Sequence, residues 1–218
     1  MQVLPLLHRA ATTEAAMWRS MYLWARRKPV TPAPGDQAFS YLGMVTPILG
    51  VFIGLSVVEI PILDLIIRKV VPWEPARWIM LAISVWGLLW MIGLFASLKI
   101  NPHIVGPAGI RVRMGAAHDL TVAWTDVDTV SKAYRTLPSS KSVQIEPHGD
   151  RTVLNLPTGS QTAVDIKLRH PVSYPLPKGP SEPADELRIY VDDPDGFVRA
   201  CRQATGAEHA TMRHAQEG

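Results

Sequence analysis

Twenty-one consecutive residues of this chain, WIMLAISVWGLLWMIGLFASL at 78–98, carry no charge. A helix rises 1.5 Å per residue, so about 20 apolar residues cross a bilayer core. A surface helix of a soluble protein keeps a polar face, and this run has none. A second run, YLGMVTPILGVFIGLSVV at 41–58, is also free of charge, and its apolar character continues to Ile67. The expectation is a helical hairpin with spans at about 41–67 and 78–98. The loop RKVVPWEPAR at 68–77 joins them. The first run begins some 40 residues in and is too long for a cleaved signal peptide.

Charge fixes the expected orientation. The net charge of +3 resides in residues 1–40, where Arg9, Arg19, Arg26, Arg27 and Lys28 outnumber Glu14 and Asp36. Lys99, Arg111 and Arg113 follow the second span, while the connecting loop holds Arg68, Lys69 and Arg77. The positive-inside rule puts both termini in the cytoplasm and the Pro-Trp loop outside, in a multi-pass protein of the cell membrane. Trp73 and Trp78 then sit at the outer interface. A basic segment ahead of an apolar one points to a lipid surface, not to nucleic acid. The leading segment, with Leu6, Leu7, Ala10, Met17, Met21 and Trp24 at partly helical spacing, reads either as an interfacial helix or as a disordered tail.

Two features of the spans bear on function. Glu59 and Asp64 flank Pro61 inside the first apolar stretch, VVEIPILDLII. Acids in a span are costly and often mark a polar site. Glu59 lies 18 residues past Tyr41, about 27 Å along a helix, near the outer edge of the core. Two readings stay open: a polar functional site, or the end of the span, broken at Pro61. Gly50 and Gly54 form a GxxxG pattern that either packs the hairpin or reflects the frequency of glycine in spans.

Beyond residue 98 the pattern changes to period two. Ile110, Val112 and Met114 alternate with Arg111 and Arg113, and Val164, Ile166 and Leu168 with Asp165 and Lys167. Such strands bury one face and wet the other. Turn signals at GPAG, PHGD and PTGS separate them. Strands are expected near 103–106, 110–115, 119–125, 128–135, 142–146, 151–156, 161–169 and 186–191. Asp193 and Pro194 open a helix expected to end near 204, followed by a disordered tail at 205–218. The expected fold is α+β: a basic segment at 1–40, a transmembrane hairpin at 41–98, and a small antiparallel barrel or sandwich at 99–204 capped by the helix.

The order of these pieces resembles a family of uncharacterised bacterial, largely actinobacterial, two-span membrane proteins. They carry a cytoplasmic pleckstrin-homology-like domain. The most specific pieces are NPHIV before the first strand and VDDPDGF before the last helix. The resemblance covers roughly residues 40–204 and implies fold and location, not an activity. Relatives often carry a histidine five residues after the acid at Glu59; here that position is Asp64.

No catalytic motif is present: no HExxH, GxSxG, P-loop or strand-borne GxGxxG. One cysteine, Cys201, excludes an internal disulfide and a cysteine zinc cluster. The seven histidines are scattered. The expectation is no enzyme, cofactor or metal, but a membrane-anchored interaction or scaffold protein with a protein partner or self-association. The alternatives are an anionic-lipid-binding protein using Arg111 and Arg113, and a subunit of a membrane complex using Glu59 and Asp64.

Overall fold

A computed structural model describes residues 14–15, 17–26, 33–71, 73–115, 118–176 and 179–216. The chain divides into two units, residues 1–29 with 45–100, and residues 30–44 with 101–218. The expectations for Leu6, Leu7 and Ala10 fall outside the described residues.

The first unit contains α1 (Val45–Val70) and α2 (Glu74–Ile100). Both are long and apolar enough to cross a membrane, each with mean hydropathy 2.2. The half-buried residues of α1 are Val45, Leu49, Ile53, Ser56, Ile60, Asp64 and Ile67. Those of α2 include Arg77, Leu81, Ser84, Leu88, Met91 and Phe95. Steps of three and four residues keep one seam facing the partner helix. The glycine pattern is not that seam. A Cβ at Gly50, Gly54 or Gly87 meets nothing within 4 Å. The helix also continues through Pro61 for nine further residues, so it does not break there. Pro61 costs α1 one amide donor, which leaves the Val57 carbonyl without its usual partner.

Residues 17–25 are helical and pack along α2. Met17 and Ser20 are buried. The Trp18 and Trp86 rings lie 5.1 Å apart, and Trp24 meets Phe95 edge-on at 6.1 Å. A Cβ on Gly93 would press on the Met17 side chain at 3.2 Å, so this glycine allows the close approach. The segment is thus a packed helix over these residues, with α2 as its support.

The second unit holds two sheets. In the first, β1 (Gln37–Phe39), β2 (His103–Gly106), β3 (Gly109–Met114) and β4 (His118–Val122) lie in sequence order, all antiparallel. In the second, β5 (Val127–Thr136), β6 (Gln144–His148), β7 (Arg151–Leu156), β8 (Gln161–Val172) and β11 (Ala184–Ile189) take the order β5-β8-β11-β7-β6. A two-stranded ribbon pairs β9 (Pro175–Leu176) with β10 (Gly179–Pro180). The strands do not close into a barrel, and β7 runs parallel to β11. Helix α3 (Pro194–Gln216) follows, so residues 205–216 extend the helix instead of forming a tail.

The core lies where apolar faces of both sheets meet α3. Val105, Ile110, Val112, Leu120 and Val122 come from the first sheet, Leu154, Val164, Ile166, Leu187 and Ile189 from the second, and Phe197 and Cys201 from α3. The sheet residues are the period-two positions, and alternation explains why those of each strand share one face. At Gly109, φ is +135° and a Cβ would meet the Val122 carbonyl oxygen at 2.2 Å, so only glycine fits that turn.

The strand β1 precedes α1 and pairs with β2, which follows α2; Gln37 faces Val105 and Phe39 faces His103. The helical hairpin is therefore inserted between two hydrogen-bonded strands of one sheet. Three residues, QAF, carry too little periodicity to announce a strand, which is why the sequence alone assigns them to the leading segment.

Candidate functional site

The two acids of α1 have different environments. Asp64 lies on the seam and receives both arms of Arg77, Nε to Oδ1 at 2.7 Å and Nη2 to Oδ2 at 2.8 Å. A bidentate fork of this kind fixes geometry as well as charge. It ties the two helices together beside their turn, and Arg77 belongs to α2, not to a loop. Glu59 is exposed, about 90° around α1 from the seam at 100° per residue. Among the described residues it has no ion-pair partner. The structure therefore does not bring the two acids together.

Arg111 and Arg113 lie on one face of β3, but they are not a free basic pair. Arg111 donates to Asp119 on β4 through Nε at 2.7 Å and Nη2 at 2.5 Å. This guanidinium holds the Asp119 carboxyl below the usual range. Arg113 faces Asp119 in register, with Nε 3.7 Å from Oδ2, and is only 8% exposed. Alternation places Arg113 on the wet face with Arg111; the structure buries it instead. Its Nε has no hydrogen-bond partner among the described residues.

Next to Arg113 a compact polar collar forms around the segment that leads into α1. The Arg113 amide donates to His103 Nδ1 at 3.0 Å. Nδ1 is therefore the acceptor, the proton sits on Nε2, and Nε2 donates to the Tyr190 carbonyl at 3.1 Å. The Tyr41 ring stacks on the imidazole at 4.6 Å, and its hydroxyl accepts from the Gly115 amide at 2.8 Å. Burial pushes the His103 pKa down to about 4, against smaller opposing effects of the Tyr190 carbonyl and Asp192. Asp192 accepts from the Leu42 amide at 3.0 Å and from the Gly43 amide at 2.8 Å. Its own amide donates to the Ser40 carbonyl. A Cβ on Gly43 would meet Asp192 Oδ1 at 2.7 Å.

The neighbouring residues of VDDPDGF complete the assembly. Asp193 caps α3 by accepting from the Gly196 amide at 2.9 Å. Asp195 pairs with Lys132 at 2.6 Å. Phe197 is fully buried and meets Phe39 of β1 edge-on at 5.2 Å. The stretches NPHIV and VDDPDGF thus supply the residues that clamp residues 39–43 to the β unit. Both stretches stand out in the sequence, but nothing local in it shows that they meet.

A second polar cluster crosses the five-stranded sheet. Ser131, Asp165, Arg188, Asn155 and Gln144 stand in register on adjacent strands. Arg188 Nε donates to Glu186 at 2.5 Å and lies 3.8 Å from Asp165, which also pairs with Arg135. Two arginines and two acids balance in charge here. No group of three potential metal ligands occurs among the described residues.

In outline this is an α+β chain with an apolar helical hairpin inserted in a sheet. Comparison with protein-family models, curated proteins and solved structures gives no match.

Proposed function

We propose that the chain is a membrane-anchored, non-enzymatic interaction module. The helical hairpin holds a pleckstrin-homology-like β domain at the cytoplasmic face of the cell membrane. There the domain engages a protein partner or a second copy of the chain. The observation that carries this reading is the insertion of the hairpin between β1 and β2. Paired strands at both ends of the hairpin fit an arrangement in which the two ends lie on one side of a bilayer. The collar of His103, Tyr41 and Asp192 holds residues 41–43, which lead into the hairpin, to the β domain. The basic bias of the leading segment supports a cytoplasmic location for that side.

A lipid-recognition role for Arg111 and Arg113 is less favoured, because Asp119 occupies the fork of Arg111. A polar site shared by Glu59 and Asp64 is less favoured too, because Arg77 occupies Asp64. The test is crosslinking in cells followed by affinity purification of the full-length chain in mild detergent. A reproducible set of co-purifying chains, or crosslinked self-oligomers, is expected. Only background proteins in repeated purifications would overturn the reading. Topology has a separate arm: Trp73→Cys should react with an impermeant maleimide from outside the cell, since Cys201 is buried. Labelling only after the membrane is opened would overturn the orientation.

A further inference from the structure

Strand β5 is an edge strand, hydrogen-bonded to β8 alone among the described strands. Two irregularities, at Val127/Thr129 and Lys132/Arg135, bracket a regular stretch from Thr129 to Lys132. Bulges of this kind shorten an open edge and so guard against unlimited sheet growth. What remains is room for one short added strand. Along this stretch no other backbone hydrogen bond engages β5 among the described residues. Helix α3 runs beside it, with Lys132 tied to Asp195 near the helix start.

A groove of about 360 Å³ opens between β5 and α3. Trp124, Val127, Val130 and Cys201 give it an apolar floor. Arg202 of α3 and Arg169 of β8 stand at its rim against a single carboxylate, Asp128. Arg169 is fixed there by donation from Nε to the Val127 carbonyl at 2.9 Å. Burial pushes the Cys201 thiol up to about 12, so it serves as an apolar wall and not as a nucleophile. The volume is at the small end for ligand pockets, enough for one or two side chains.

We infer that the partner of this domain contributes an extended segment that pairs with Thr129–Lys132 of β5, seats an apolar side chain in the β5–α3 groove and sets an acidic side chain against Arg202 and Arg169. Backbone pairing supplies affinity and the alternate side chains supply specificity, as in strand addition generally. The excess of guanidinium over carboxylate at the rim selects the acidic residue. This inference rests on the interaction-module reading above and narrows it to one surface and one class of partner.

The test uses the full-length chain in nanodiscs of neutral phospholipid. The probes are short synthetic peptide pools with Leu and Glu fixed at alternate positions, and matched pools with Lys in place of Glu. The Leu-x-Glu pool should slow amide hydrogen exchange in residues 129–132 and bind about tenfold or more tightly than the Lys pool. Arg202→Glu should reverse that preference, and Thr205→Trp, which fills the groove from the helix side, should abolish protection. No protection by either pool, or protection untouched by both variants, would overturn the inference. Failure here is distinguishable from failure of the broader reading. A crosslinked partner that stays bound to both variants leaves the module intact and removes the groove. Loss of every specific partner from the unaltered chain removes the module itself.

Discussion

His103 makes the pH dependence of the β unit a direct test of the collar. Its ring is 2% exposed, accepts the Arg113 amide at Nδ1 and donates from Nε2 to Tyr190. Adding a proton to Nδ1 would set two donors face to face in a site without water access. In the unfolded chain the ring titrates near 6.5, in the folded chain near 4. Between these values the unfolded state holds a proton that the folded state refuses, so stability falls as pH falls from 6.5 to 4. Above 6.5 neither state is protonated, and this contribution is fully present. Below about 4 both are, and no further loss comes from this group. At about 1.36 kcal/mol per pH unit, the interval is worth roughly 3 kcal/mol. The assay is thermal and denaturant unfolding of the full-length chain in mild detergent across this range, beside His103→Gln. The variant should be less stable at pH 7.5 and should lack this part of the slope. Parallel slopes in the two proteins, or an imidazole that titrates near 6.5 by NMR, would refute the assignment of a buried neutral ring.

Three further expectations follow from named contacts. Gly50→Leu and Gly54→Leu should leave the α1–α2 pairing intact, read by disulfide crosslinking between cysteines placed at Ile53 and Leu88, seam positions in the register set by the Asp64–Arg77 pair, because both glycines face open space. Asp64→Asn and Arg77→Gln should each weaken the hairpin, while the double variant should be less destabilised than the sum of the two; additive losses would show that the fork of 2.7 and 2.8 Å contributes no coupling. Phe197→Ala should cost about 3–5 kcal/mol, since the side chain is fully buried, and should raise amide exchange at Gln37–Phe39 because Phe39 loses its ring partner.

What the sequence made legible is what short-range periodicity encodes. Ile110, Val112, Leu120, Val122, Val164 and Ile166 alternate as the strands require, and all are buried in the core. Asp193 and Pro194 mark the start of α3 because a cap and a first-turn proline are local chemistry. The pairing of β7 with β11 joins residues some thirty positions apart, and no turn between them announces it. The burial of Arg113 was hidden because alternation treats Arg111 and Arg113 alike; only the arrival of Tyr41 and His103 beside Arg113 separates them. The glycine pattern leaves two readings open for a related reason. GxxxG states that a close approach is possible, not which face is used, and the seam of α1 is read instead from positions 45, 49, 53, 56, 60, 64 and 67.

The collar explains why a chain of this kind has two specific stretches ninety residues apart. A hairpin inserted in a sheet imposes a loop-closure cost between β1 and β2 that only three paired residues on β1 offset locally. Extra bonds must therefore hold residues 39–43. Asp192 supplies two amide acceptors, His103 supplies a stacking plane for Tyr41, and Phe197 supplies an apolar seat for Phe39. Each sits immediately beside an element that would exist without the hairpin: His103 opens β2, and Asp192 and Phe197 bracket the cap of α3. The insertion is thus secured by residues at element termini, where side chains and backbone amides are still free to bond. Glu59 stands outside this scheme. It makes no contribution to the seam, the Arg77 fork or the collar, so a change at Glu59 that alters partner capture without altering hairpin stability would report on something outside the chain.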